Sequence, residues 1–517
     1  MRSRAWLLAA SATLIATPAI ADTLQGALLE AYRTSPVLAS ARAQLRATDE
    51  GVPIAKAESR LQVSATLGVT QSADGITTFE NGGRVATGGL NLSYPLFQGG
   101  RVKNAINAAE ARVLAGRADL RTTEGNLFTQ AVGAYVDVLR DQAIVGLNAG
   151  NVRVLETNVR ASRDRFQVGD LTRTDVAQSE ARLSLARSQL ALAQGTLTRS
   201  REFYRQVVGS WPDRLDQPPP LPRLPATPDE AVRIALADNP AIPAITANTQ
   251  AAGYDVRTAR AARLPTLSVT GGNSYNNYLG TRAQASGFPS GTNSAFDQSV
   301  EQSQIGLAVT VPLYQGGGVA ARIRQAQALE NASLEQGVDV ERQVIANTRA
   351  AYAVFVAAGD AIRANEQAVA ANRLALEGAR AENSVGTRTV IEVLNAEQEL
   401  LNAQVQLVTA QHDRYVAGFA LLNAMGQAEA ADLNLDGGAL YDPVANYRQV
   451  RGRFGDWSDG PKYKLQSTRT SGPTPRDADV QPLAPDARLG PALSLPPVPA
   501  PAGSLVPNPT DLDRPPQ

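Results

Sequence analysis

Four stretches of the chain alternate apolar with polar or small residues at every second position. The apolar positions run from Leu61 to Val69, from Leu90 to Leu96, from Leu267 to Val269 and from Ile305 to Leu313. A period of two predicts β-strands with one apolar face. Most runs are close to the ~9–11 residues that a tilted strand needs to cross a bilayer, and their other face suits a water-filled lumen. We predict four membrane-spanning strands, the alternative being ordinary half-buried hairpins.

Between the strands the pattern changes to the spacing of long helices. Apolar residues fall seven apart in two places, at Val176, Leu183, Leu190 and Leu197 and at Val393, Leu400 and Leu407. Heptad spacing predicts a coiled-coil seam. No proline occurs between Pro95 and Pro212 or between Pro312 and Pro443. Each of these windows can therefore hold long helices that are broken only by a tight reversal.

Two segments are predicted to reverse the helices: Val168-Gly169-Asp170-Leu171-Thr172 and Val385-Gly386-Thr387-Arg388-Thr389. In each, glycine ends one helix and threonine can cap the next. The outgoing helix from Gly100 would be ~100 Å long at 1.5 Å per residue, and the helix that returns from Thr172 only about half as long. We therefore expect residues 24–60 to pack along the rest of the outgoing helix, with residues 228–263 as their counterpart.

An internal repeat organises the chain. Tyr94-Pro95-Leu96-Phe97-Gln98-Gly99-Gly100 returns 217 residues later as Val311-Pro312-Leu313-Tyr314-Gln315-Gly316-Gly317. Ser35-Pro36 returns at a smaller offset as Asn239-Pro240, because the second copy has a longer loop between its strands. The glycines at 99, 100, 316 and 317 lack the Lys-Ser/Thr of a phosphate loop. They are predicted to turn the chain from strand to helix.

The repeat sets the predicted domain organisation. Residues 22–225 and 226–429 form two units, each with helices, two strands and a long helical hairpin. A short C-terminal segment, residues 430–459, follows. Residues 460–517 are rich in proline and without period, which predicts a disordered tail.

The first 21 residues have the features of a signal peptide: Arg2 and Arg4, an apolar run from Trp6 to Ala16, and a small-x-small site ending at Ala21. No later stretch of about 18 apolar residues exists. The 49 basic and 49 acidic residues cancel, which argues against a nucleic-acid partner. With no cysteine and one histidine, His412, the chain shows no pattern of a metal centre, cofactor site or catalytic triad. We expect neither an enzyme nor a cofactor.

Four membrane strands cannot close alone, because so small a barrel has no room for its own side chains. An open edge in lipid leaves backbone groups unpaired, at several kcal/mol each. Two, three or four copies would supply 8, 12 or 16 strands, and the smallest of these barrels would fill its own interior. The chain is therefore predicted to assemble as a trimer or larger.

The signal peptide, the tandem repeat, the Pro-Leu-aromatic-Gln-Gly-Gly strand ends and the Val-Gly tips resemble the TolC family of outer-membrane efflux proteins. The resemblance covers residues 22 to about 457. It implies a homotrimer with a 12-stranded β-barrel in the outer membrane on a helical tunnel through the periplasm. It also implies passive export of small molecules or unfolded proteins for an inner-membrane pump, through a periplasmic adaptor. The alternative is a periplasmic coiled-coil spacer or stalk without transport.

The same resemblance implies site residues at the tips. Glu392 and Asn395 match two acidic positions that form charged rings at the family's periplasmic gate, although Asn395 is neutral and predicts a weaker ring. Asp175 and Arg388 match an acidic–basic pair that holds the closed state, and Asn383 replaces a tyrosine of that network.

The reversals are also expected to meet the adaptor. The resemblance assigns this docking role to Val168, Gly169, Val385 and Gly386. A plain helix reversal would need the same glycines, so both interpretations stay open at these positions.

Overall fold

The computed structural model describes residues 23–71, 84–280, 297–433, 435 and 440–471. The predicted signal peptide and the tail from residue 472 onward lie outside the described residues. In chain order the elements are α1 (Leu24–Thr34), α2 (Pro36–Asp49), α3 (Gly51–Ala57), β1 (Gln62–Gln71), β2 (Arg84–Phe97), α4 (Arg101–Gln167), α5 (Arg173–Val208), α6 (Pro228–Asp238), α7 (Ala241–Ala261), β3 (Thr266–Asn277), β4 (Ser299–Thr310), α8 (Gly318–Ser384), α9 (Val390–Ala424) and α10 (Ala445–Val450).

The two halves of the chain repeat one order of elements: short helices, two strands, a long helix and a returning helix. The outgoing helices α4 and α8 each contain 67 residues, and the returning helices α5 and α9 contain 36 and 35. The predicted strands, long helical hairpins and reversals are confirmed. The unit boundaries at residues 225 and 429 stay predictions.

Capping residues explain where the short helices begin. Ser35 Oγ accepts a hydrogen bond from the Leu38 amide, and Pro36 occupies the first turn of α2, where its missing N–H is not needed. In the second half Asn239 Oδ1 accepts from the amide only two residues on, that of Ala241, at 2.9 Å, and α7 begins one position later, with Pro240 as its N-cap. The Ser-Pro and Asn-Pro pairs of the repeat therefore both lie at the start of a helix, with different capping bonds.

The short helices pack along the long ones as expected. α1, α2 and α3 contact the strand-proximal half of α4, and α5 contacts the other half. Tyr32 on α1 stacks on Phe128 of α4 with ring centroids 6.1 Å apart. In the second half α7 contacts both α4 and α8, so it joins the two halves side by side.

The main apolar core lies where these helices meet, about midway along α4. Phe128, Tyr135, Tyr204, Tyr415 and Met425 are almost fully buried there. Tyr135 Oη donates to the Asp216 carbonyl at 2.6 Å, which satisfies its hydroxyl inside an apolar site. Its repeat equivalent, Tyr352, donates to the Ala226 carbonyl at the same distance.

The four strands form one antiparallel sheet in the order β1-β2-β3-β4. The fourth apolar run was expected to continue to Leu313, but β4 ends at Thr310. Thr310 pairs with Thr266, the first residue of β3. The ladder stops there because Pro265, next on the partner strand, and Pro312 have no N–H to donate.

Candidate functional site: the sheet and the helical tips

The sheet has one apolar and one polar face, as the alternation predicts. Cross-strand pairs place Val63 beside Leu92 and Val269 beside Leu307 on the apolar face. The other face is small and polar, and forms a shallow concavity lined by Thr66, Thr87, Asn91, Ser274, Gln302 and Gln304. Such a sheet can place lipid against one face and water against the other.

The apolar face crosses the strands obliquely. One cross-strand row consists of Val63, Leu92, Gly271 and Ile305. Farther from the helices, Val69 on β1 lies level with the polar Ser299 on β4. The apolar positions of β1 therefore lie farther from the helices than those of β4, which is the drift expected of strands that cross an apolar layer at a tilt.

Among the described helices, none combines the length and the apolar composition that a membrane span requires. The described residues also contain no group of His, Asp or Glu side chains placed to hold a metal ion.

The strand-to-helix turns lie where the glycines predict. Gly99, Gly100, Gly316 and Gly317 all have positive φ, a conformation that costs other residues about 1–2 kcal/mol. Gly99 also touches the second half of the chain, because an added Cβ would come 2.7 Å from Leu264 Cβ. At Gly316 no described residue lies within 4 Å of the same position. The two turns thus differ in what covers them.

At the first tip, α4 ends through a left-handed Gly169 with φ 84°. The Asp170 amide donates back to the Arg165 carbonyl at 2.9 Å. Thr172 and Asp175 then form a reciprocal cap on α5, in which each side chain bonds the other residue's backbone amide. Val168 projects from this turn and is 80% exposed.

The second tip repeats the first with one addition. Gly386 has φ 79°, and Glu392 Oε2 accepts from the Thr389 amide at 2.9 Å. Asn383 Nδ2 donates to the Arg388 carbonyl at 2.7 Å, which ties the start of the turn to its end. Val385 is 74% exposed. Both tips therefore present an exposed valine on a capped reversal.

Of the charged residues of the predicted gate, Arg388 and Glu392 lie close together, but Asp175 and Arg388 form no ion pair among the described residues. Arg388 Nε lies 2.9 Å from Glu382 Oε2 and 4.0 Å from Glu392 Oε1, whereas Asp175 bonds Thr172. The Thr389 amide bond lowers the pKa of Glu392, and the Thr172 hydroxyl bond lowers that of Asp175. Both carboxylates thus cap helices within the chain. Their gating role stays a prediction.

Asn395 has a partner that the sequence did not suggest. Arg182 Nη2 on α5 donates to Asn395 Oδ1 on α9 at 2.7 Å. This bond links the two helical hairpins near their tips. It places a cation beside the position where the resemblance implies a carboxylate.

A buried carboxylate in the same region was also missed. Glu397 on α9 is only 6% exposed in its side chain and pairs with Arg380 of α8 at 3.0 Å. Asn158 Nδ2 of α4 donates to both of its oxygens. The sequence could have indicated it, because Glu397 falls at helical spacing between the apolar Leu394 and Leu401 on the buried face of α9. A charged residue on such a face needs a partner.

His412 belongs to a polar network between α9 and α4. Its Nε2 lies 2.9 Å from Asp137 Oδ1, and Arg140 pairs with both Asp137 and Asp141. Burial disfavours the charged form of Asp137. The hydrogen bond from His412 and the charge of Arg140 outweigh it and lower the pKa of this carboxyl.

The chain matches the family described as outer membrane efflux protein over residues 28–210 and 231–427. The chain belongs to this family. The outer membrane efflux protein BepC of Brucella suis is 37% identical over 451 residues, which cover 87% of this chain and 94% of that protein. The outer membrane protein TolC of Vibrio cholerae is 25% identical, over 80% and 92% of the two chains.

The fold agrees with solved members of this family. The Campylobacter jejuni CmeC outer membrane channel superposes with a TM-score of 0.69 at 16% identity, covering 83% of this chain and 89% of that chain. This agreement confirms the TolC-like fold, and membership of the outer membrane efflux protein family confirms the outer-membrane location. Members of the outer membrane efflux protein family are channels rather than enzymes.

Proposed function

We propose that three copies of this chain form a closed, passive export duct. An inner-membrane pump would drive cargo into it through a periplasmic adaptor. The helical tunnel would cross the periplasm, and twelve strands would close a barrel in the outer membrane. No chemistry by the chain itself is needed, because the pump supplies the energy.

Unequal burial of two equivalent helices carries this proposal. α4 has 28 buried residues, whereas α8, of the same length, has nine. α4 lies between α2 of its own half and α7 of the other half, whereas α8 packs against α7 of its own half and, among the described helices, has no extended contact with α2. A neighbouring copy would supply that α2. The open turn at Gly316 fits the same missing neighbour.

The strand register predicts how the copies join. Val63 pairs with Leu92, and the repeat-related Leu267 pairs with Val309, so β1 corresponds to β3 and β2 to β4. Within the chain Leu92 pairs with Gly271 of β3. In the repeat, Val309 is equivalent to Leu92 and Leu67 is equivalent to Gly271. Val309 of one copy would therefore pair with Leu67 of the next. Head-to-tail contacts of this kind form a ring when the rotation between copies closes, as three copies at 120° would.

The predicted junction can be cross-linked. The chain has no cysteine, so Leu67→Cys with Val309→Cys would carry the only two thiols. Directly opposite strand residues have Cα atoms ~4.5–5.5 Å apart, within the range of a disulfide. We expect mild oxidation to yield covalent dimers and trimers. Leu67→Cys with Thr310→Cys is the control, since residue 310 points to the opposite face, and equal cross-linking of both pairs would contradict the register.

The tips complete the proposed duct. Val168, Gly169, Val385 and Gly386 would meet the adaptor, because glycine admits a second backbone and the exposed valines offer small apolar contacts. Glu392, Asn395, Asp175 and Arg388 would form the charged mouth. A ring of carboxylates at a narrow opening favours cations.

Dye accumulation tests the export role. A strain that lacks the gene should retain more dye than the same strain complemented, if a small-molecule pump uses this duct. Unchanged retention would assign it to protein export, and the culture medium would then lack a secreted protein in the deletion strain. If neither differed, and no heat-sensitive trimers appeared in the outer-membrane fraction, the spacer alternative would stand.

A further inference from the structure

Basic residues are concentrated where the helices join the sheet. Four junctions, each defined as the link to a strand with five residues of the adjoining helix, span residues 53–61, 98–105, 257–265 and 311–322. Together they contain eight Lys or Arg residues but only one acidic residue, Glu58, although the whole chain has 49 of each kind. The eight residues, called here the basic belt, are Lys56, Arg60, Arg101, Lys103, Arg257, Arg260, Arg263 and Arg322.

The chain itself fixes the height of the basic belt. Each member lies in a link or within five residues of the helix end, which is ~7 Å of helix at 1.5 Å per residue. Arg60 precedes β1 by two residues, and Arg263 precedes β3 by three. Arg101 is the first residue of α4, four residues after the end of β2. The basic belt therefore lies at the rim of the sheet that adjoins the helices.

The positive charge of the belt is hardly neutralised within the chain. Arg101 Nη1 lies 3.1 Å from Glu58 Oε2, the one carboxylate at these junctions. Lys56 and Arg60 donate to backbone carbonyls, which leaves their charges in place. Four exposed side chains form no hydrogen bond or ion pair with any described residue: Lys103, Arg260, Arg263 and Arg322. A neighbouring copy would bring the same excess, so the counterions come from outside the protein.

Aromatic side chains mark the edge of the lipid at the same height. Tyr94 lies opposite Val269, and a register shift after Pro95 places Phe97 opposite Leu267. Both partners belong to the apolar face of the sheet, so the bulge turns the Phe97 ring toward that face. Both rings are exposed. Since aromatic girdles flank the apolar band of a membrane sheet, the boundary lies at Phe97, close to the basic belt.

The distribution of charge distinguishes lipid from the water-filled interior of a barrel. The polar face of the sheet carries uncharged side chains such as Thr66, Asn91 and Gln302. Farther from the sheet the basic excess disappears, since residues 106–119 contain two acidic and two basic residues and residues 323–341 contain four acidic and one basic. An ion path would run the whole length of the sheet and the helices. Lipid phosphates lie only at the boundary, where basic side chains approach them.

We infer that the basic belt binds the phosphate headgroups of anionic glycerophospholipids in the periplasmic leaflet of the outer membrane. A guanidinium can donate two parallel hydrogen bonds to one phosphate, and long basic side chains can extend along the rim while their charged ends stay in the headgroup layer. The belt fixes the height of the sheet in the bilayer and selects the lipids around it. The inference rests on the outer-membrane location and not on the export role.

Lipid-specific quenching of one tryptophan tests the inference. Apart from Trp6 in the predicted signal peptide, the tryptophans are Trp211 and Trp457. Both are changed to Phe in the full-length protein, and Phe97→Trp supplies a reporter at the boundary. Two sets of vesicles contain equal amounts of phosphatidylglycerol and phosphatidylcholine, with brominated acyl chains on one lipid or on the other. The lipid composition is then identical, so a difference in quenching shows which lipid lies at the reporter.

Phosphatidylglycerol should be the preferred neighbour of the reporter. We expect its apparent association constant to be ~2–5 times that of phosphatidylcholine, because basic side chains attract anionic lipid. The ratio should fall toward one in about 1 M salt, where exposed charges are screened within a few ångströms. The salt measurement needs no substitution in the belt. Inorganic phosphate at the same ionic strength as chloride should leave the ratio unchanged.

Matched changes of charge locate the binding. Arg260→Gln with Arg263→Gln removes two belt charges beside the reporter, since Phe97 pairs with β3, and should lower the ratio by about half or more. Arg153→Gln with Arg160→Gln is the control. These two residues are exposed on α4, roughly 75 Å of helix from the sheet, and the control should keep the ratio of the unmodified belt.

Four results would overturn the inference. Equal quenching by both lipids would show that the belt does not select anionic headgroups, and no quenching by either would place Phe97 away from lipid. An equal loss of preference in both double variants would assign it to net charge. A changed reversal potential in Arg260→Gln with Arg263→Gln, with the lipid preference intact, would place these side chains in the ion path.

Discussion

Arg182 on α5 donates a hydrogen bond to Asn395 on α9, with Nη2 2.7 Å from Oδ1. The bond joins the two helical hairpins of one chain near their tips, where the proposed duct narrows. If the tips part when the duct opens, this bond is one of the contacts that has to break.

Arg182→Ala is expected to raise the basal conductance of the reconstituted protein in planar bilayers. The mutation removes one of the links between the hairpins, the one at Asn395, and leaves the Asn158–Glu397 bonds in place. Arg187→Ala is the matched control, because Arg187 pairs with Glu156 of the adjacent α4 and makes no bond to the second hairpin. Equal conductance changes in both variants would show that the loss of a positive charge, and not the loss of the Arg182–Asn395 bond, raises the conductance.

Asn395→Asp is expected to increase cation selectivity, measured as the reversal potential in a salt gradient. The substitution adds a carboxylate near Glu392, and a charge at a narrow mouth acts through a low local dielectric. Asn402→Asp, farther along the same exposed helix face, controls for charge alone. A reversal potential that did not move would place Asn395 outside the ion path.

Arg388→Ala is expected to raise basal conductance while changing stability little. Its partners Glu382 and Glu392 are exposed, and exposed pairs contribute under ~1 kcal/mol each. Single-channel recording and a urea titration of the same preparation separate the two effects. Conductance equal to that of the unmodified protein would remove Arg388 from the gate.

Gly386→Trp is expected to leave trimers intact but abolish export, because a bulky side chain would block docking at the exposed tip. Since Gly386 has positive φ, any side chain adds about 1–2 kcal/mol of strain. Gly386→Ala carries that strain without the bulk and should export normally. Normal export by the tryptophan variant would count against docking at this turn.

Glu397→Ala is expected to destabilise the helical region by about 1–3 kcal/mol, since it leaves buried polar groups without a partner. Glu399→Ala is the control on the same helix, where the side chain is exposed. Urea denaturation followed by circular dichroism measures both. Equal stability of the two variants would show that water replaces the lost carboxylate.

The fold was predictable from the sequence in both halves wherever local chemistry decides it. The long helices follow from heptads without proline, and the reversals follow from Gly169 and Gly386 with a capping threonine after each. The exact end of β4 was not predictable from its apolar run, because it depends on Pro265 of a neighbouring strand.

The site was predictable in its position but not in its contacts. A family resemblance pointed to Glu392, Asn395, Asp175 and Arg388 at the tips. Their partners within the chain come from other helices or from capping geometry, as with Arg182 and Asn395. Glu397 was missed because its partners, Asn158 and Arg380, lie 239 and 17 residues away.

Periodicity, glycine positions and the repeat determine the elements of this protein, since each acts within a few neighbouring residues. Only the tertiary structure decides which helix faces lie against one another. Two equivalent helices, α4 and α8, differ in burial because the chain supplies neighbours on both sides of α4 and on one side of α8. No local pattern contains that difference. One face of α8 and the two edges of the sheet, β1 and β4, are left for neighbouring copies.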